Sequence, residues 1–189
     1  MIVMKFGGSS VANGERIRHV AAIVKDFLPQ KPVLVLSAMG DTTDHLLSAA
    51  EEALKGRVSI EQIVSLHTHT ISELSLPPSA KEEIEPLLEE LRNLLVGISL
   101  IKELTGRTKD YLVSFGERLS IRLMASYLKT LGINARALDA WDAGFVSDSN
   151  FTSAEVKKES WPAVASIIQG LVGQGTLPVV TGFIARDEQ

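Results

Sequence analysis

The sequence predicts an α/β fold, a mostly parallel sheet with helices on both faces and an all-helical insertion. Three observations carry this. An apolar run at Ile2 to Phe6 halts at Gly7-Gly8, yields to residues at helical spacing, and is followed by a second apolar run at Val33 to Leu36. Strand, crossover helix and strand in that order make a parallel pair. The stretch from about Asp41 to Leu104 contains no strand-like run and reads as helices only. Finally, runs as continuously apolar as Val33-Leu34-Val35-Leu36 belong to strands buried on both faces, which requires cover on each side.

The elements follow in order. From Asn13, the residues Ile17, Val20, Ala21, Val24 and Phe27 recur at helical spacing, and the segment from Pro29 to Pro32 ends that helix. The second strand ends at Ser37 and Gly40. Three helices are expected next, at Thr43 to Leu54, Ile60 to Leu74 and Ser79 to Leu104. The third carries Ile84, Leu87, Leu91, Leu94, Ile98 and Ile101 three or four apart, a seam that suits packing on neighbouring helices better than a coiled coil. Leu112-Val113 leads into Ser114-Phe115-Gly116-Glu117-Arg118, read as a helix start, with Leu119, Leu123, Tyr127 and Leu131 continuing the helix to a stop at Gly132. Ala135 to Leu138 is a third strand, Asp139 to Thr152 a polar loop, and a helix follows to about Leu171. Leu177 to Ile184 reads as the fourth strand.

Composition bounds the function. The 189 residues are 45% hydrophobic and 22% charged, which fits a soluble globular chain and not a disordered or fibrous one. A net charge of −4 argues against nucleic-acid and membrane-surface partners, which select a basic face. No cysteine is present, so disulfide and thiolate chemistry are excluded. No apolar run approaches the roughly 18 residues of a membrane span, and the N-terminus has no leader pattern. The expected location is the cytoplasm. After the fourth strand only Ala185-Arg186-Asp187-Glu188-Gln189 remains, and a four-stranded sheet this apolar reads as incomplete.

Three segments at strand ends are candidates for chemistry. In Lys5-Phe6-Gly7-Gly8-Ser9-Ser10, paired glycines let the backbone approach a ligand and turn N–H groups toward phosphate oxygens. The helix start beyond adds donors and partial positive charge, and Lys5 adds an ammonium. That set suits a transferring phosphoryl group, although a plain strand-to-helix turn with a snorkelling lysine fits the residues equally well. It matches neither the P-loop nor the Gly-x-Gly-x-x-Gly pattern. Ser37-Ala38-Met39-Gly40-Asp41-Thr42-Thr43 offers hydroxyls where open α/β sheets bind ligands, or else a capping cluster for the next helix. Glu117, one residue past Gly116, reads either as a cap or as a grip on an ammonium group. His67 and His69 are two apart and face different sides of a helix, so no metal site is expected. Gly170 to Gly175 reads as a helix stop, and Asn150-Phe151-Thr152 as an unused glycosylation pattern.

Together, Lys5-Phe6-Gly7-Gly8-Ser9-Ser10-Val11, Leu36-Ser37-Ala38-Met39, Ser114-Phe115-Gly116-Glu117-Arg118-Leu119-Ser120 and Val179-Val180-Thr181-Gly182-Phe183-Ile184 resemble aspartokinases, in order and over the whole chain. The helical stretch at about 41–104 resembles their insertion. The resemblance implies an amino acid kinase-like fold, incomplete here, and transfer of the ATP γ-phosphoryl to the side-chain carboxylate of L-aspartate, with Mg2+ accompanying the nucleotide. It implies that Lys5 stabilises the transferring phosphoryl, that Gly7, Gly8 and Ser9 bind phosphate, and that Ser37 and Thr43 hold the substrate. Glu117 is implied to bind the α-ammonium, and Gly182 and Phe183 to line the pocket.

Aspartokinases continue past the Gly-Phe-Ile strand into a Gly-Arg-Gly-Gly-Ser-Asp segment, the nucleotide-binding half and ACT domains. Residues 1–189 are therefore expected to form the amino-acid-binding part, inactive by itself and prone to homo-oligomerise through open sheet surface. A kinase for another acidic amino acid, and a non-catalytic binding module, are the competing readings.

Overall fold

The computed structural model describes residues 1–182 and 184. Four strands, β1 (Ile2–Phe6), β2 (Pro32–Leu36), β3 (Ala135–Leu138) and β4 (Leu177–Thr181), form one parallel sheet in the order β1-β2-β4-β3. The helices are α1 (Gly14–Asp26), α2 (Thr42–Leu54), α3 (Glu61–Glu73), α4 (Pro78–Ile101), α5 (Gly106–Thr130) and α6 (Trp161–Gly173).

Strand order explains the layering. From β1 to β2 the chain advances one way across the sheet, and from β3 to β4 it advances the other way. Crossovers of one hand then fall on opposite faces. Ile17, Val20, Ala21 and Val24 of α1, with the core of α5, cover Met4, Leu34, Leu36 and Val179. On the other face, Ile168 and Leu171 of α6 cover Val33, Leu138 and Val180. The α6 cover stops short of β1, leaving Val3 68% and Met1 61% exposed. An open groove of about 1200 Å3 runs there, between Val3, Val33 and Val35 and the rings of Trp141, Phe145 and Trp161.

Between β2 and β3 the chain is helical throughout. The α4 seam packs inside the molecule against α2 and α5: Ile84, Leu87, Leu91 and Ile98 are buried with Leu88 and Leu95, while Ile101 at the helix end is exposed. The polar loop after β3 holds one antiparallel bridge, Ser147 to Val156. β4 ends at Thr181, earlier than the expected Ile184, and Phe183 lies outside the described residues. Among the described residues no helix is long and apolar enough to cross a membrane.

Two expectations are corrected. Ser114-Phe115-Gly116-Glu117-Arg118 does not start a helix; it lies in the middle of the 25-residue α5, so Glu117 is not a cap. The start of α1 is also not free to receive an anion. Asn13 accepts the Arg16 N–H at 3.0 Å, and the Glu73 carboxylate of α3 accepts the Gly14 N–H at 2.9 Å. A carboxylate already occupies the positive end of this helix dipole.

Candidate active site

At or just past the carboxyl ends of the strands lie Lys5, Gly7, Gly8, Ser9, Ser37 and Gly182, whereas Thr43 is on α2 and Glu117 on α5. The direction of chain advance reverses between β2 and the β4-β3 pair, and open α/β sheets bind ligands at such a reversal. Lys5 pairs with Val35 and is exposed, on the face shared with Val3. After β1 the chain passes through Gly7 into a single 3-10 turn, Gly8–Val11, with Ser10 N–H donating to the Gly7 carbonyl at 2.9 Å.

The loops after β1 and β2 are tied together. Ser37 N–H donates to the Phe6 carbonyl and Gly40 N–H to the Gly8 carbonyl, each at 3.1 Å. A methyl group on Gly8 would stand 2.8 Å from the Ala38 carbonyl oxygen, so glycine is required there by close approach. Gly7 is different. Its φ of −78° suits any residue, and a methyl group there would meet nothing within 4 Å. The side of Gly7 on which a side chain would stand therefore faces open space. Ser9 is exposed and Ser37 half-buried beside this turn.

Glu117 reaches the same edge from the helix side. Its neighbour Gly116 packs so closely on the β2 loop that a methyl group would lie 2.7 Å from Ala38 Cβ and 3.4 Å from Thr42 Cγ2. At the end of β4, Gly182 N–H donates to the Leu36 carbonyl at 2.9 Å. A methyl group on Gly182 would stand 3.3 Å from Glu117 Oε1, so a largely buried carboxylate lies against the wall that follows β4. The backbone links Phe6–Ser37, Gly8–Gly40 and Leu36–Gly182 thus draw Gly7, Gly8, Ser37, Glu117 and Gly182 into one patch, with Lys5 at its β1 border. Thr43 is exposed on the first turn of α2, directly after the β2 loop. Thr42 is the buried one, donating its hydroxyl to the Met39 carbonyl at 2.5 Å. Among the described residues the groove shares with this patch only Gly182, beside Ser114 and Thr181.

The sequence reading passed over a charged cluster behind Glu117. Asp139, directly after β3, accepts from Arg122 Nη1 at 2.9 Å and Nη2 at 3.2 Å, and from Arg118 Nε at 3.3 Å. The available signal was the i, i+4 spacing of Arg118 and Arg122. Among the described residues no group of three or more His, Cys, Asp and Glu could hold a metal ion.

Comparison with known proteins places the chain by family and fold. The chain is 47% identical over 192 residues to the chloroplastic aspartokinase 1 of Arabidopsis thaliana, covering 97% of this chain and 33% of that protein. It therefore spans about one third of the length of that curated relative. The crystal structure of E. coli aspartokinase III in complex with lysine and aspartate superposes with a TM-score of 0.86 at 27% identity, over 100% of this chain and 42% of that one. The same enzyme in complex with aspartate and ADP gives 0.84 at 27% identity, over 100% and 42% of the two chains. The family model for the amino acid kinase family matches residues 1–189, and with the parallel sheet and its strand-end site this chain belongs to that family.

Proposed function

We propose that residues 1–189 form the amino-acid-binding part of an aspartokinase, which transfers the γ-phosphoryl of ATP to the side-chain carboxylate of L-aspartate. The observation that carries the reading is the Glu117 carboxylate set against Gly182, on the same sheet edge as the Gly7-Gly8 turn. A carboxylate there suits an α-ammonium, and a paired-glycine turn beside it suits a phosphate. On this reading the helical insertion spans about 41–104, and the nucleotide-binding half and ACT domains belong to the length of the relatives that this chain does not span.

A carboxylate oxygen of aspartate forms a bond to the γ-phosphorus while the bond to the β,γ-bridging oxygen breaks, giving an acyl phosphate and ADP. No proton transfer is needed. Both reactants are anionic, so the work of the site is alignment and screening of charge. Lys5 places an ammonium toward the transferring phosphoryl, and Gly7, Gly8 and Ser9 offer backbone N–H groups. Ser37 and Thr43 hydroxyls hold the amino acid, Glu117 grips its ammonium, and Gly182 walls the pocket. Mg2+ enters with the nucleotide on its phosphates, as this cation commonly does. The open surface around Met1 and Val3 supports self-association of the chain, and its lack of cysteine suits the cytoplasm.

The test is steady-state kinetics on a chimera joining residues 1–189 to the remaining length of the Arabidopsis relative. Lys5→Ala is expected to lower kcat about a hundredfold with little change in the Michaelis constant for aspartate, because its charge acts in the transition state. Glu117→Gln is expected to raise that Michaelis constant. The reverse pair of phenotypes would overturn the roles.

A further inference from the structure

Arg118 is a costly residue to place where it is. Only 8% of it is exposed, and its Nη1 finds no hydrogen-bond partner among the described residues. Its Nε meets Asp139 at 3.3 Å and its Nη2 meets Glu90 at 3.4 Å. The guanidinium centre lies 4.8 Å from the Phe115 ring, 5.3 Å from Trp141 and 5.9 Å from Tyr111. A buried ion pair is weak evidence for stability, since apolar residues of similar volume often serve as well or better. What such a cluster does supply is a fixed geometry.

The contacts form a closed ring. Asp139 is buried and holds both Arg118 and Arg122 of α5. The next residue, Ala140, donates its N–H to Thr181 Oγ1 at 2.8 Å. Thr181 precedes Gly182, whose missing methyl would stand 3.3 Å from Glu117 Oε1, and Glu117 adjoins Arg118. Asp139 thus fixes the rotation and height of α5 against the ends of β3 and β4, the two references that decide where the Glu117 carboxylate stands. Arg122 Nη1 also donates to the Arg118 carbonyl at 2.8 Å, locking the two arginines to one another.

We propose that Asp139, clasped by Arg118 and Arg122, is a positioning residue that sets Glu117 against Gly182 and so determines how well the site recognises the ammonium group of its amino acid. The proposal rests on the reading of Glu117 given above. It predicts a specific defect, since misplacing Glu117 weakens binding only of ligands that carry an ammonium.

The experiment is an NMR titration of the 189-residue chain with L-aspartate and with succinate, which lacks the ammonium. The wild type is expected to prefer L-aspartate, and Asp139→Asn to shrink that preference about tenfold, with succinate binding unchanged. Arg118→Lys, which keeps the charge but not the planar fork, is expected to shrink it partly. Dispersed amide spectra of each variant establish that it is folded, and Arg118→Lys serves if Asp139→Asn is not. Glu117→Gln separates the two ideas. Preference lost in Glu117→Gln but kept in the folded Asp139→Asn and Arg118→Lys proteins overturns the proposal alone. Equal loss of both ligands in Asp139→Asn also overturns it, as that marks a merely structural role. Absence of any preference in the wild type, or its survival in Glu117→Gln, overturns the reading of Glu117 and the proposal with it.

Discussion

Glu73, the last residue of α3, accepts the backbone N–H of Gly14, the first residue of α1, at 2.9 Å, and its carbonyl accepts from Arg18 of the same helix. The helical insertion thereby caps the helix that follows the Gly7-Gly8 turn. The end of α1 is thereby closed to an anion, which on the proposed function leaves the Gly7-Gly8 turn to receive one.

Gly14 is a glycine because Glu73 is there. A methyl group at Gly14 would lie 2.8 Å from Glu73 Cβ and 2.9 Å from Oε2. Gly14→Ala is expected to destabilise the fold by about 1–3 kcal/mol through overpacking, in spite of alanine's better helix propensity. Glu73→Ala is expected to cost about 1 kcal/mol as a lost cap. Urea denaturation midpoints of both variants check this, and a stabilised Gly14→Ala would contradict the capping geometry.

The two glycines of the turn separate packing from binding. Gly8→Ala drives a methyl group into the Ala38 carbonyl at 2.8 Å and is expected to lower stability measurably. Gly7→Ala meets open space, so its denaturation midpoint is expected to stay within about 0.5 kcal/mol of wild type. Phosphate-bearing ligands are expected to bind Gly7→Ala more weakly, because the methyl group stands where they would approach. Equal stability losses in the two variants would refute the distinction.

His67 sets a pH dependence. It is fully buried in α3, with Nδ1 2.7 Å from the Ile63 carbonyl and Nε2 without a hydrogen-bond partner among the described residues. Burial pushes its pKa down from 6.5 to about 4, outweighing the opposing effect of the Ile63 carbonyl. The unfolded chain takes up a proton below about pH 6.5, whereas the folded chain resists until about pH 4. Stability from this group is thus complete above the unfolded value and falls with pH through that window, by about 3 kcal/mol in all. His67→Leu is expected to flatten this component of the curve. Urea midpoints of both proteins at about pH 7.5 and about pH 5 decide it; parallel curves would show that His67 titrates normally.

Legibility in the sequence followed the physical signal. Pro32–Leu36 and Leu177–Thr181 stood out because strands buried on both faces read as unbroken apolar runs, and Ile2–Phe6, half-exposed and interrupted by Lys5, stood out by its stop at Gly7-Gly8. The middle of α5 did not, for the opposite reason. From Leu112 to Arg118 that helix is buried on nearly all sides, Ser114, Glu117 and Arg118 included, so it shows no apolar stripe there, and a period can be read only from Leu119, Leu123 and Tyr127 onward. The polar residues there suggested a helix start. Glu73 and Asp139 escaped notice because their partners lie 59 and 17 to 21 residues away, and no local pattern announces a long-range contact. For Glu117 the residues left a cap and an ammonium grip open; its place in the middle of α5 removes the cap, and the grip remains the role that the resemblance implies.

The central claim, that L-aspartate is gripped at the carboxyl ends of β1, β2 and β4, is tested most directly by mapping L-aspartate onto the backbone amide spectrum of the 189-residue chain. The account predicts perturbations concentrated at Gly7, Gly8, Ser37, Glu117 and Gly182, and their loss in Glu117→Gln. Perturbations confined to the groove between Val33 and Trp161, or none at the strand ends while L-aspartate binds elsewhere, would contradict it.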